Sequence, residues 1–307
     1  MPKPPPKDKK GMSFPTVLSA TGQVFGDTTT SHLVEMPATV DAGDLLLVLF
    51  SNDGGDTVTT PGGWTCVFSD EPEQGTVRLG AYIKVAVGDE DGTTVDFVTV
   101  GTGEIAASHI YRIEEGTWEG TTSGVEAAVD HVTVAGGPNV NPDPPSLTPT
   151  WGAEDNLWIA CYGADDHDAV TVWPTDYTDT LWSALGDRGD CCVGSCRRER
   201  NGSPEDPDAF TIASAEEWSA ATICIRPATG QTPSAYELKY RKGDATVVIK
   251  TYPVDDPLWN QTFAIQVGGT KYYAQCDSNL SHANASDLRI RVGGVTYAVL
   301  TEEGTPT

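Results

Sequence analysis

The chain lacks most of the features from which chemistry is usually read. Its longest apolar run, Leu45–Phe50, is six residues, far short of the roughly 20 a membrane helix requires. No window longer than a few residues sustains apolar residues at i, i+3, i+4 and i+7, so a helical core is not expected. The N-terminus carries proline and lysine and no apolar segment. No secretion signal is read there, and synthesis as a soluble cytoplasmic chain is expected. No glycine-rich loop leads into a helix, so there is no phosphate cradle. Seven cysteines, an odd number, do not suggest a disulfide framework. Cys191-Cys192 with Cys196 lacks the fourth ligand and the paired spacing of a zinc site. Cys66, Cys161, Cys192 and Cys224 read as small apolar side chains on strands. No metal or cofactor is called for. Four Asn-X-Ser/Thr matches, at Asn201, Asn260, Asn279 and Asn284, read as chance in a chain rich in small polar residues.

Positive charge is also scarce, and it is unevenly placed. There are 19 basic against 44 acidic residues, a net charge of −25. Residues 1–11 contribute +3 and residues 232–307 contribute −1, which leaves −27 for residues 12–231. So acidic a body repels phosphate backbones, and nucleic acid is not an expected partner. The charge also favours solubility over random self-association. Residues 1–11 carry Pro4, Pro5 and Pro6 followed by Lys7, Lys9 and Lys10. Consecutive prolines favour an extended polyproline II arm. It reads either as a mobile tail or as an anchor whose lysines seek an acidic groove on a larger assembly.

Glycine and proline, 32 and 21 residues, punctuate what remains into short strands and turns. The expected strands of the first half are Val17–Val24, Ser31–Val40, Leu45–Ser51, Val77–Val85, Thr93–Val100 and Ile105–Ile113. Those of the second half are Val125–Val134, Leu157–Gly163, Cys191–Glu199, Ala209–Ala213 and Ser219–Ile225. The two halves repeat. Gly43-Asp44-Leu45-Leu46-Leu47-Val48 returns as Glu154-Asp155-Asn156-Leu157-Trp158-Ile159, and Ala106-Ala107-Ser108 returns as Ser219-Ala220-Ala221. The offset runs from 111 (Asp44 to Asp155) to 113 (Ala107 to Ala220). This predicts a duplicated β unit over residues 12–228, forming the two halves of one jelly-roll-like β-sandwich, with the proline-rich stretch from Gly136 to Pro149 crossing between them.

A linker is expected at residues 229–236, followed by a second repeat over 237–307. Gly243, Gly268 and Gly293 are spaced 25 residues apart, the latter two followed by Gly269 and Gly294. Each marks a two-residue turn between an alternating strand and a β-rich run, so three β-hairpins are expected.

Few residues suggest chemistry. His109 has no serine or cysteine nucleophile near it in an elbow-like context and reads as a core or edge histidine. Asp165-Asp166-His167-Asp168 could face a ligand or hold a hard cation, or simply be an acidic solvated loop. Asp89-Glu90-Asp91-Gly92 lacks the later glutamate of a calcium loop. Trp118, Trp151, Trp173 and Trp182 could stack on sugars, though such residues more often fill cores or interfaces.

Gly-Asp-Leu-Leu-Leu-Val (43–48), Thr-Thr-Pro-Gly-Gly-Trp-Thr (59–65) and Arg-Leu-Gly-Ala-Tyr-Ile-Lys-Val-Ala (78–86) together resemble a β-sandwich module of tailed-phage virion proteins, those labelled minor tail or tail-fibre proteins. The Val-Gly-Gly units at 267–269 and 292–294 resemble C-terminal repeats of the same class. The resemblance implies a non-enzymatic protein of the virion surface. A tail-fibre or tail-tip adhesin contacting a host glycan or receptor is the first expectation, and a head decoration or head-fibre protein the second. Other virion proteins are the implied partners, homotrimers fit both placements, and no membrane insertion is expected. A glycan depolymerase or a free carbohydrate-binding module is the contrasting reading.

Overall fold

In the computed structural model, the described residues are 14–228, apart from 73–74, 102, 133–135 and 186–190, and six strands between 237 and 298. Side chains at 27–28 and in those six strands are outside the description, as are the arm (Pro4, Pro5, Pro6, Lys7, Lys9, Lys10), the expected linker at 229–236 and the turn glycines Gly243, Gly268, Gly269, Gly293 and Gly294. The chain divides into Met1–Thr229 and Gly230–Thr307. It is an all-β protein: among the described residues the only helical turn is a 3-10 turn at Thr122–Gly124, and no helix is long and apolar enough to cross a membrane.

The first repeat holds eight strands: β1 (Val17–Thr29), β2 (Ser31–Glu35), β3 (Leu45–Asp53), β4 (Val58–Thr59), β5 (Thr65–Asp70), β6 (Val77–Val85), β7 (Thr94–Thr99) and β8 (Glu104–Ile113). They form a five-stranded antiparallel sheet in the order β1-β8-β3-β6-β5 and a smaller sheet in the order β2-β7-β4. The second repeat holds β9 (Val125–His131), β10 (Asp155–Asp165), β11 (Val170–Val172), β12 (Thr178–Ala184), β13 (Cys191–Asn201), β14 (Thr211–Ile212) and β15 (Trp218–Ile225). Its large sheet runs β12-β13-β10-β15-β9, and β11 pairs with β14. Position for position this is the first repeat's order, read from the other end. The counterpart of β2 is the crossing segment, whose Val140 and Pro142 carbonyls accept from the backbone N–H of Ile212 and Phe210 at 2.9 and 2.8 Å.

The two large sheets pack face to face. Leu45, Leu47 and Leu49 of β3 share one core with Leu157, Ile159 and Cys161 of β10 and Ile223 and Ile225 of β15. Each large sheet is also covered on its other face. Leu46, Val48, Phe50 and Tyr82 pack under Val34, Phe97 and Trp64. Trp158, Ala160, Tyr162 and Cys192 pack under Phe210, Ile212 and Leu147. The central strands are thus buried on both faces, which is why β3 reads as an unbroken apolar run and not as an alternation. By contrast β2 alternates exposed and buried residues, as a cover strand with one wet face should. The ring nitrogens of His32 lie 3.0 and 2.8 Å from the carbonyl oxygens of Phe97 and Glu104, tying the cover to the sheet beneath.

The ladder corrects the sequence alignment of the repeats. Leu45 pairs with Ile113 in the first copy and Leu157 with Ile225 in the second, so both strands are displaced by 112 residues. The sequence offsets of 111 and 113 are each one residue away from this. Because strand side chains alternate, a one-residue slip exchanges the faces. Leu46 corresponds to Trp158 on the outer face and not to Leu157 on the inner one.

Four strands were absent from the sequence expectation: β4, β5, β11 and β12. β4 and β11 span only two and three residues. β5 and β12 are edge strands with register irregularities at Cys66/Phe68 and Thr178/Leu181, so neither presents a clean apolar period. In the C-terminal unit, β16 (Glu237–Lys242) pairs with β17 (Ala245–Thr251), β18 (Thr262–Val267) with β19 (Thr270–Gln275), and β20 (Arg289–Val292) with β21 (Val295–Ala298), all antiparallel. β17 also pairs with β18, which joins the first two hairpins into a four-stranded sheet.

Candidate functional site

The acidic loop expected to face a ligand begins at the end of β10. Asp165 ends that strand opposite Cys191 of β13, and its backbone N–H donates to the Glu217 carbonyl at 2.9 Å. The chain then turns sharply at Asp166, whose φ of 73° is left-handed, a conformation that aspartate tolerates better than most residues. Asp166 Oδ1 accepts from the backbone N–H of His167 and lies 3.0 Å from His167 Nδ1. Asp168 accepts from the Ser214 hydroxyl at 3.1 Å.

Pairing of β10 with β15 brings a residue to this loop that the sequence reading missed. Glu216 precedes β15, and its backbone exchanges hydrogen bonds with Asn139 at 3.1 and 3.2 Å. Burial and a hydrogen bond with Asp168, together with the charges of Asp166, Asp168 and Asp165, push its carboxyl up to about 7. The neighbouring Glu217 turns the other way, is buried, and accepts from the Thr76 hydroxyl of the first repeat. The only sequence signal was the Glu-Glu pair ahead of the apolar run 218–225. A second carboxylate group surrounds Asp143, whose pKa is raised by burial and by Asp206, Asp130 and Asp208. Among the described residues no three His, Cys, Asp or Glu side chains are placed to hold a metal ion.

Among the described residues of this unit the arginines and the lysine are all engaged. Arg78, Lys84, Arg112, Arg197, Arg198, Arg200 and Arg226, the described basic residues of 14–228, each form an ion pair. Arg112 is bound by Asp44 and Asp41. Arg226 meets Glu154 with two hydrogen bonds, at 3.0 and 2.8 Å, and lies 5.7 Å from the Trp151 ring centre. Glu205 is buried and accepts from Arg198, Arg200 and the Tyr177 hydroxyl. The carboxylates left over give this unit its acidic surface.

In space His109 meets serines that lie far from it in the sequence. Its Nδ1 lies 2.7 Å from Ser195 Oγ and its Nε2 3.1 Å from Ser183 Oγ, both on the second repeat. The Tyr111 hydroxyl sits 2.6 Å from the same Ser195 Oγ. His109, Tyr111 and Ser195 are wholly out of contact with solvent, and burial pushes the His109 pKa down to about 3. An imidazole so weakly basic is a poor general base at neutral pH. Here it joins the two sheets, as do His131 and Asp70, 3.0 Å apart across the repeats, with the Ser219 hydroxyl donating to Asp70 at 2.7 Å.

The tryptophans are dispersed through the fold. Trp118 is buried and donates to the Gly43 carbonyl at 3.0 Å, Trp151 and Trp173 pack against the second repeat's outer core, and Trp182 on β12 is exposed. Comparison of the chain with family models, with curated proteins and with solved structures finds no match in any of the three.

Proposed function

We propose that this chain is a structural protein of a tailed-phage virion surface, serving in a tail fibre or tail tip that contacts the host. The observation that carries the reading is the set of motifs at 43–48, 59–65 and 78–86, with the Val-Gly-Gly units at 267–269 and 292–294. In the fold, Leu45–Asp53 and Val77–Val85 are adjacent central strands, and the Val-Gly-Gly units begin at the ends of paired hairpin strands. We read the strand order, with first, eighth, third and sixth strands side by side and second, seventh and fourth covering them, as jelly-roll connectivity present once in each repeat. An acidic surface whose described cations are all paired suits a protein that works beside other proteins or glycans and away from nucleic acid. A scaffolding role also agrees with His109 and Ser195 being spent inside the core.

The test is labelling of intact phage particles that carry this protein, using an antibody raised against residues 14–228. Label on the tail supports the proposal. Label on the head moves the protein to a decoration or head-fibre position, where the Pro-Lys arm would be the docking segment. Particles that take up no label overturn the virion reading, and release of new sugar ends from host polysaccharide would replace it with a depolymerase.

A further inference from the structure

Register sorts the residues of the C-terminal four-stranded sheet onto two unlike faces. Leu238 pairs with Ile249, Ile249 with Ile265 and Ile265 with Tyr272, so these four form one row across the sheet. One residue to either side, and therefore on the opposite face, the rows read Glu237-Lys250-Ala264-Tyr273 and Lys239-Val248-Gln266-Lys271. The face of the first row also holds Tyr240, Val247, Phe263 and Val267, and its one charged residue is Lys242, at the end of β16. The face of the other two rows holds four of the five basic residues of these strands and their one acid, Glu237.

A sheet with one apolar face has to bury it. The third hairpin splits in the same way, with Ile290, Val292, Val295 and Tyr297 on one face and Arg289, Arg291 and Thr296 on the other. It is too small to be the whole cover, since it offers two strands of four residues against four strands of six or seven. Size and charge point to another copy of the chain. Tyr240, Phe263 and Tyr272 belong to the apolar face. At about 150–250 Å² for each aromatic residue, they supply more than half of the roughly 800 Å² per partner that a stable contact buries. Residues 232–307 carry −1 against −27 for residues 12–231, so copies meet here with the least repulsion. Identical faces also match in extent, and sheets packed face to face make a sandwich core. We infer that the C-terminal unit is the self-association module of the chain. The Leu238-Ile249-Ile265-Tyr272 face of one copy closes on the same face of another, and the basic face is left to water. The inference does not depend on where the protein works.

Sedimentation of the full chain over a concentration series, in moderate salt that screens the acidic bodies, tests it. An oligomer is expected, weakened at least about tenfold by Ile249→Lys, which puts a charge into the contact. Val248→Lys, one residue along and on the other face, should leave it intact. A variant that merely failed to fold would mimic the first result, so a gentler pair reads the contact directly. Under irradiation, Tyr272→benzoylphenylalanine should give covalent oligomers of this chain, and Tyr273→benzoylphenylalanine should not. A chain that is monomeric at every concentration assigns the face to a different partner and overturns the inference. So does an Ile249→Lys protein that associates like the wild type, or crosslinking from position 273 as readily as from 272.

Discussion

The two repeats share a strand order and differ in how they fill the space between sheet and cover. The first uses rings: Phe50 and Phe97 stack at 5.4 Å, with Tyr82 and Trp64 edge-on to Phe97 at 5.2 and 5.8 Å. The second keeps Trp158, Tyr162 and Phe210 but sets small thiols, Cys192, Cys196 and Cys224, among them. Its cover is held instead by the buried Glu205 cluster. One backbone plan is thus stabilised by aromatic packing in one copy and by a buried ion network in the other. A jigsaw core and a paired charge are alternative ways of fixing the same cover. They fail differently, because a cavity remains dry whereas an abandoned charge must find water.

The largest break should come from the ring side. Phe50→Ala removes a fully buried side chain from the centre of the aromatic group and should cost about 3–5 kcal/mol, read as a fall in the urea midpoint. Cys192→Ala, at one of the small buried thiols of the second repeat's outer core, should cost less than half of that. Glu205→Gln comes next. It leaves Arg200 without its anion and Arg198 with Asp176 alone, but both are partly exposed and can rehydrate, so about 2–3 kcal/mol is expected.

The joint between the repeats should respond to acid. The His109 pKa falls from 6.5 to about 3 in the fold, so the unfolded chain takes up a proton that the folded one refuses. The stability His109 preserves is complete above pH 6.5 and is lost as pH falls toward 3, at about 1.4 kcal/mol per pH unit. His109→Gln should flatten that part of the stability profile, and an unchanged slope would assign acid sensitivity elsewhere. The smallest effect has the opposite sign. Glu216 rises from 4.5 to about 7, so its contribution is fully present below pH 4.5 and is lost as pH climbs through 7. Glu216→Gln, which mimics the protonated form, should match the wild type at pH 4.5 and melt higher at pH 8.

Much of the fold was legible because apolar runs and turn residues mark strands regardless of context. Leu45–Phe50 and Cys191–Cys196 could scarcely be anything other than buried strand, and the two-residue gaps around Gly243, Gly268 and Gly293 specify hairpins through turn geometry alone. The candidate site was half legible. Asp165-Asp166-His167-Asp168 stands out as contiguous charge, but Glu216 lies some fifty residues away and arrives only through the pairing of β10 with β15. Ser195 and Ser183 reach His109 across the central core, a meeting no local pattern could announce.

The sequence by itself determined that this is an all-β chain, acidic over residues 12–231. It could not say which face of each central strand looks inward. That information normally resides in alternation, and β3 and β10 have almost none because both of their faces are buried. Only the ladder, joining Leu45 to Ile113 and Leu157 to Ile225, decided the register. With the register came the inner and outer cores and the buried histidine.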